Sequence, residues 1–264
     1  MWVFLNDRFV PKEDAKVSLF DLGFLRGMGI FEFARVYDRQ VFCLEEHLDR
    51  FFVSAARLNL SVPYNKERLM EICAELIERC KLCNAGIKFV LSGGSGEFTS
   101  SGKVTFAMMP ADLRKPTGPL TVATATYERF LPQCKTLNYL PAILERDKAI
   151  SKGFDEVLFL DRRGYILEGS RENFFAIKNG VYITPRDGVL PGVTRSVVMQ
   201  LVDVVMRPIH YDELKECEGA FFTSTVREIA PIAQIDDMHF ESCVEPLTKH
   251  FINFVQEGLL SSMN

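Results

Sequence analysis

The chain has 264 residues, 47% hydrophobic and 25% charged, with 31 basic against 35 acidic side chains and a formal net charge of -4. That composition fits a folded protein with room for two packed domains; it excludes a disordered chain, and the balanced charge excludes the basic footprint of a nucleic-acid or anionic-membrane binder. No apolar run approaches the roughly 20 residues that span a bilayer, the N-terminus lacks a basic flank followed by an apolar stretch, and the seven cysteines are odd in number, so we expect reduced thiols and a cytoplasmic protein.

In chain order, WVFLNDRFV (2–10) reads as a hairpin turning at Asn6-Asp7. Leu44, Leu48, Phe51, Phe52, Ala55 and Leu58 recur at helical spacing, which predicts a core-facing helix. Asn65 is placed to cap a second helix, with Leu69, Ile72, Cys73, Leu76 and Ile77 as its stripe and Glu75 paired to Arg79 four residues on. IKFVLSG (87–93) and KVTFAMMP (103–110) follow as strands. ADLRKPTGPL (111–120) breaks both periodicities with two prolines and a glycine, and the domain boundary is set there: residues 1–112 and 121–264, joined by 113–120.

Beyond it, residues 120–127, 156–161, 164–169, 173–178 and 181–185 are short β-rich runs with turns at Arg162-Arg163-Gly164 and Asn179-Gly180, which predict a curved sheet or barrel. Helices are predicted at 139–150, 194–205, 211–217 and 243–255, so the class is α+β. Cys80 and Cys83 form a CxxC without a second pair or spaced histidines; one core-facing and one surface thiol is the plainer reading than a metal site, and no metal is expected. Cys134 has no histidine near it in sequence to make it a nucleophile.

Three stretches carry possible chemistry. GVLPGVTRSVVM (188–199) runs a glycine-containing loop into a helix whose first turn offers unpaired N–H groups and the Thr194 hydroxyl, as a phosphate requires; FFTSTVREIAPI (221–232) offers Thr223, Ser224 and Thr225 in a second loop. Each on its own is equally an ordinary turn. Glu168 ends an alternating apolar run in GYILEGSRENFF (164–175), which sets a carboxylate near the interior where it needs a cation or N–H partner; Arg171 or another arginine would serve. Lys135, in CKTLNYL (134–140), forms an imine only where a pocket holds an aldehyde, and by itself reads equally as a surface ammonium.

DLGFLRGMGIFE (21–32), EEHLDRFFVSA (45–55), CKTLNYL, LEGSRENFF, LPGVTR (190–195) and TSTVREIAPI, in this order and at these spacings, resemble the class IV, fold-type IV, pyridoxal-phosphate enzymes: branched-chain and D-amino-acid aminotransferases and aminodeoxychorismate lyases. The resemblance covers residues 1 to about 240. It implies a smaller N-terminal α/β sandwich domain and a larger C-terminal pseudo-barrel domain that binds pyridoxal 5'-phosphate. It implies that Lys135 forms the covalent link to the cofactor and then moves the proton between substrate and cofactor, and that Glu168 partners the pyridine nitrogen. It further implies that Arg50, Val193, Thr194, Ser224 and Thr225 hold the phosphate, that Tyr139 lies near O3′, and that Leu190 packs on the ring. His47, one turn before Arg50, is expected to be structural. The partners implied are an amino acid and a keto acid in ping-pong transamination, and a second copy of the chain, each site borrowing residues from its neighbour.

Within the family, Gly169-Ser170 and Pro191-Gly192-Val193-Thr194 are closer to transaminases than to the lyase, which remains the alternative. Phe31 stands where D-amino-acid aminotransferases often have tyrosine, and Phe98-Thr99-Ser100 replaces their Arg-x-His. Arg26 and Arg171 stand where relatives carry tyrosine and small residues, and are read, with Phe31, as substrate-binding: the two arginines clamp the α-carboxylate, Arg26 from the neighbouring subunit. An interface role for Arg26, and a salt bridge from Arg171 to Glu172 or a plain surface charge, are the competing readings. D-amino acids stand slightly ahead of branched-chain L-amino acids, and a non-enzymatic module that merely kept the fold is the third alternative.

Overall fold

The computed structural model describes residues 1–96, 98, 103–113, 118–241 and 244–261, the side chains of 259–261 excepted. The expected linker therefore falls partly outside the described residues, as do Thr99 and Ser100. The chain forms two compact units: Met1–Arg114 with Cys134–Asn138 and Ser261–Asn264, and Lys115–Gln133 with Tyr139–Leu260.

In the first unit β1 (Trp2–Leu5) and β2 (Arg8–Pro11) form the hairpin, with Asn6 in the left-handed region at φ 57°. A short helix, α1 (Leu22–Arg26), is capped by the Asp21 carboxylate and stopped by Gly27 at φ 65°. Then come β3 (Gly29–Tyr37), β4 (Gln40–Val41), α2 (Leu44–Arg57), α3 (Lys66–Cys80), β5 (Ala85–Ser92) and β6 (Thr105–Ala111). The six strands make one sheet in the order β2-β1-β6-β5-β3-β4, with α2 packed on β3 and α3 on β1 and β6. Asn65 Oδ1 accepts from Arg68 N at 3.0 Å, as an N-cap should, and Glu75 pairs with Arg79 at 2.6 Å. The predicted helical stripe of α3 is buried in full, against Ile30, Leu48, Phe51, Phe89 and Phe106.

Neither α1 nor β3 was expected. Along β3 the inward positions are Ile30, Glu32, Ala34 and Val36, so a fully buried glutamate interrupts the apolar alternation that would have revealed the strand.

The second unit runs β7 (Leu120–Thr126), α4 (Leu140–Ser151), β8 (Glu156–Leu160), β9 (Ile166–Gly169), β10 (Asn173–Lys178), β11 (Val181–Thr184), α5 (Val193–Leu201), β12 (Val204–Met206), β13 (Gly219–Ser224), β14 (Glu228–Ile235), β15 (Met238–His239) and α6 (Glu245–Ser261). Its sheet follows the path β12-β11-β10-β13-β14-β7-β8-β9, and β9 also pairs back onto β10. Strands β10, β13, β14, β7, β8 and β9 thus close into a ring, filled by Leu158, Phe174, Phe222 and Ile232 among others. The closing pair is Asn173 with Glu168.

Two predicted helices differ. The run 194–205 is helical only to Leu201; Val202 is extended and Val204–Met206 adds a strand parallel to β11, because the β-branched Val204 and Val205 satisfy a sheet edge better than a helix end. Residues 211–216 form a 3-10 helix rather than an α-helix, with the Asp212 N–H donating to His210 Nδ1 at 3.3 Å.

Candidate active site

In the first unit Lys135 lies on a segment stitched to β3. Phe31 N donates to Lys135 O at 2.9 Å, Leu137 N donates to Gly29 O at 3.0 Å, and Thr136 bridges Ile30. Lys135 N in turn donates to the buried Ser54 Oγ of α2 at 3.3 Å. Gly29 allows this close approach, since a Cβ there would stand 2.6 Å from Leu91 O and 2.7 Å from Leu137 Cδ1. The Lys135 ammonium lies 4.6 Å from the Phe31 ring centroid, a cation–π distance, with Lys88 5.0 Å from the same ring.

Arg50 sits in the same unit, buried on α2. Its Nε and Nη2 donate to Glu32 Oε2 and Oε1 at 2.9 and 2.6 Å, and His47 Nδ1 lies 3.1 Å from Glu32 Oε1. Burial pushes the Glu32 carboxyl up, but Arg50 and His47 together outweigh it and hold it well below the usual carboxylate range. Burial lowers His47, with Arg50 and Lys135 behind it and Glu32 opposing. Glu32 was not singled out in the sequence. Arg26 is exposed at the end of α1, its Nη1 donating to Leu25 O at 3.1 Å. Phe31 is half-buried on β3, and Phe98 is exposed.

In the second unit Glu168 is buried at the ring closure. Its Oε2 accepts from Leu190 N at 2.9 Å and from Asn173 Nδ2 at 3.3 Å, and Oε1 lies 3.3 Å from Arg129 Nε. The cation is Arg129, not Arg171. Asn173 also donates to Leu190 O at 2.9 Å, and a Cβ on Gly192 would stand 1.9 Å from Asn173 Oδ1. One carboxylate and one amide thereby fix the loop that delivers α5. No side chain caps α5, whose first residues, Val193 and Thr194, are buried, so its opening amides present the partial positive charge that anions bind. Arg195 anchors the helix from behind, donating to Thr184 Oγ1 and Pro185 O.

Ser224 ends β13, and its hydroxyl accepts from Arg227 N at 3.1 Å across the turn that holds Thr225. The Thr223 hydroxyl beside it is buried without a hydrogen-bond partner among the described residues. Tyr139 stands at the start of α4, half-buried. Arg171 is exposed and pairs with Glu156 at 3.7 Å rather than with Glu172, which accepts the Arg171 backbone N–H at 3.0 Å and pairs with Arg227 at 3.1 Å. Tyr139, Ile143, Arg146, Ser170 and Arg171 line a cleft of about 100 Å³. Burial and the Glu156 charge raise Glu172 to about 7. Among the described residues no group of three or more His, Cys, Asp or Glu side chains gathers to hold a metal, and no helix is long and apolar enough to cross a membrane.

Residues 29–235 match the family model for amino-transferase class IV. The chain belongs to the class IV aminotransferase family. Its members depend on pyridoxal 5'-phosphate. Among relatives, a protein of Methanocaldococcus jannaschii named "Putative branched-chain-amino-acid aminotransferase" is 35% identical, over 89% of this chain and 88% of its own length. A D-alanine aminotransferase of Staphylococcus epidermidis is 30% identical, over 89% of each. Among solved structures, the branched-chain aminotransferase of Thermoproteus uzoniensis superposes with a TM-score of 0.90 at 27% identity, covering 97% of this chain and 94% of that one. A Legionella pneumophila structure named "Putative 4-amino-4-deoxychorismate lyase" gives 0.86 at 26%, covering 93% and 96%. The chain is thus a class IV enzyme of fold type IV.

Proposed function

We propose that this class IV enzyme binds pyridoxal 5'-phosphate and transfers an amino group between a small or medium amino acid and a 2-keto acid, D-amino acids ahead of branched-chain L-amino acids, as a homodimer. The observation that carries the reading is Glu168: a buried carboxylate held by Leu190 N, Asn173 and Arg129, on the same loop system that delivers the uncapped start of α5. Packing alone requires neither a buried anion nor an uncapped, buried helix start. The residues fit the cofactor, whose chemistry when bound is that of an electron sink for a substrate carbanion.

Lys135 would supply the amine that holds the cofactor and would move the proton between substrate and cofactor. Its main chain is tied on both sides, which fixes where that amine starts. Glu168 would pair with the ring nitrogen and favour its protonated form. Val193 and Thr194 at the start of α5, Ser224 and Thr225 of the β13–β14 turn, and Arg50 hold the phosphate. Tyr139 serves O3′ and Leu190 the ring face. Arg171, with an exposed guanidinium in the cleft it shares with Tyr139, pairs the substrate carboxylate, helped by Arg26 of a second copy and by Phe31. The second copy is favoured by the exposed run Val17, Leu19, Phe20, Phe24 and Leu25, an apolar surface unusual for a monomer.

Purified protein supplied with pyridoxal 5'-phosphate should turn yellow, and Lys135→Ala should not. Single-turnover bleaching by a panel of D- and L-amino acids then reads chirality, and Arg171→Ala should lower the rate constant per substrate concentration by roughly 100-fold, about 3 kcal/mol of lost charge pairing. Bleaching by L-amino acids alone would reverse the stereochemical reading. The Legionella likeness favours a second reading, the lyase; pyruvate release from aminodeoxychorismate without bleaching by any amino acid would install it.

A further inference from the structure

Arg129 lies between β7 and α4, in a stretch the sequence left unmarked. Its Nε is 3.3 Å from Glu168 Oε1, its Nη2 donates to Pro132 O at 2.8 Å, and its guanidinium is hydrogen-bonded to Tyr139, whose ring centroid is 5.9 Å away. The side chain is 12% exposed. Burial disfavours its charge, yet Glu168 first and Tyr139 second raise its affinity for the proton, so it is a fixed cation.

A single guanidinium thus touches both side chains that the proposed function sets at the cofactor ring. A carboxylate in contact with a pyridine nitrogen shares one proton with it, and the less basic group gives up the larger share. A carboxylate without a cation beside it would compete with the ring for that proton; a permanent cation 3.3 Å from Glu168 Oε1 opposes this. Guanidinium donates hydrogen bonds and accepts none, so in this contact the Tyr139 oxygen is the acceptor and its own proton is left to donate elsewhere.

Resting on the aminotransferase reading, we propose that Arg129 is a positioning residue that fixes the proton at two points: it keeps Glu168 an anion for the ring nitrogen, and it makes the Tyr139 hydroxyl a donor toward O3′. Neither effect requires Arg129 to touch the cofactor.

The test is a pH titration of the yellow colour of cofactor-loaded protein, with cofactor affinity measured alongside. Arg129→Gln should move the midpoint of the colour change upward by about one pH unit, a tenfold change in proton affinity, because a ring nitrogen without its proton draws less electron density from Lys135. Its affinity for pyridoxal 5'-phosphate should fall about tenfold, the change expected for one lost charge-assisted contact. Arg129→Lys, which keeps the cation and guards against a folding defect, should restore at least half of the shift. An unchanged midpoint in loaded Arg129→Gln, or a full-sized shift in Arg129→Lys, would overturn the proposal while leaving the aminotransferase reading intact. A wild-type protein that takes up no cofactor overturns that reading, and this proposal with it.

Discussion

Glu32 shows how much a single residue can organise. It stands at an inward position of β3, fully buried, and takes two donors from Arg50 and one from His47. Because its folded pKa is depressed, its contribution to stability is complete above the unfolded value near 4.5 and is lost as pH falls toward the lower folded value. Glu32→Gln should destabilise the fold by about 3 kcal/mol at neutral pH, since Arg50 would keep a buried charge without its anion, and should flatten the acid limb of the stability curve in urea titrations. Glu172 has the opposite sign. Its folded pKa is raised to about 7 by burial and by Glu156, so its contribution is complete below 4.5 and is lost as pH rises to about 7. Thermal melts of Glu172→Gln should therefore lose the decline that wild type shows across that window. A steeper decline in the variant would contradict the assignment. Neither burial was legible in the sequence, where Glu172 figured only as a salt-bridge partner for Arg171 and Glu32 not at all, and only a partner distant in sequence explains it.

At the scale of elements, the sequence was readable wherever one face repeated. The stripes of α2 and α3, the Asn65 cap and the Asn6 turn follow directly from local spacing. It was unreadable where the partner lies far away: β3, whose alternation Glu32 interrupts, and β12, which exists because β11 offers an edge. The loop before α5 is intermediate. Its glycine was visible, but the reason for it is Asn173, across the hairpin that closes the ring. Gly192→Ala should push Asn173 off Leu190 and Glu168, costing about 2 kcal/mol of stability and weakening pyridoxal 5'-phosphate binding, as read by denaturation and by absorbance titration. Normal affinity in that variant would mean that the loop is not fixed as described.

For the whole molecule, the family was legible because six motifs kept their order over most of the chain, and each motif is short enough to be ambiguous alone. Substrate choice was not, because Arg26 and Arg171 depart from the commoner patterns. The proposed association of copies is equally a whole-molecule property. Phe20 and Phe24 are 71% and 72% exposed in the isolated chain, and burying such rings is worth a few kcal/mol each. Phe20→Asp should therefore shift the protein from dimer to monomer in size-exclusion chromatography with light scattering, while its circular dichroism stays that of wild type. A dimer that survives the substitution would place the interface elsewhere.

The stitching of Lys135 to β3 has a temporal consequence. The strand is made from residues 29–37, but the segment that pairs with it is about a hundred residues later, after the polypeptide has entered and left the second unit. During synthesis the first sheet must wait, with part of one edge bare, until the ribosome has released residues 134–138. Lys135 is therefore among the last pieces of that unit to be seated, and a nascent chain halted before residue 120 lacks it.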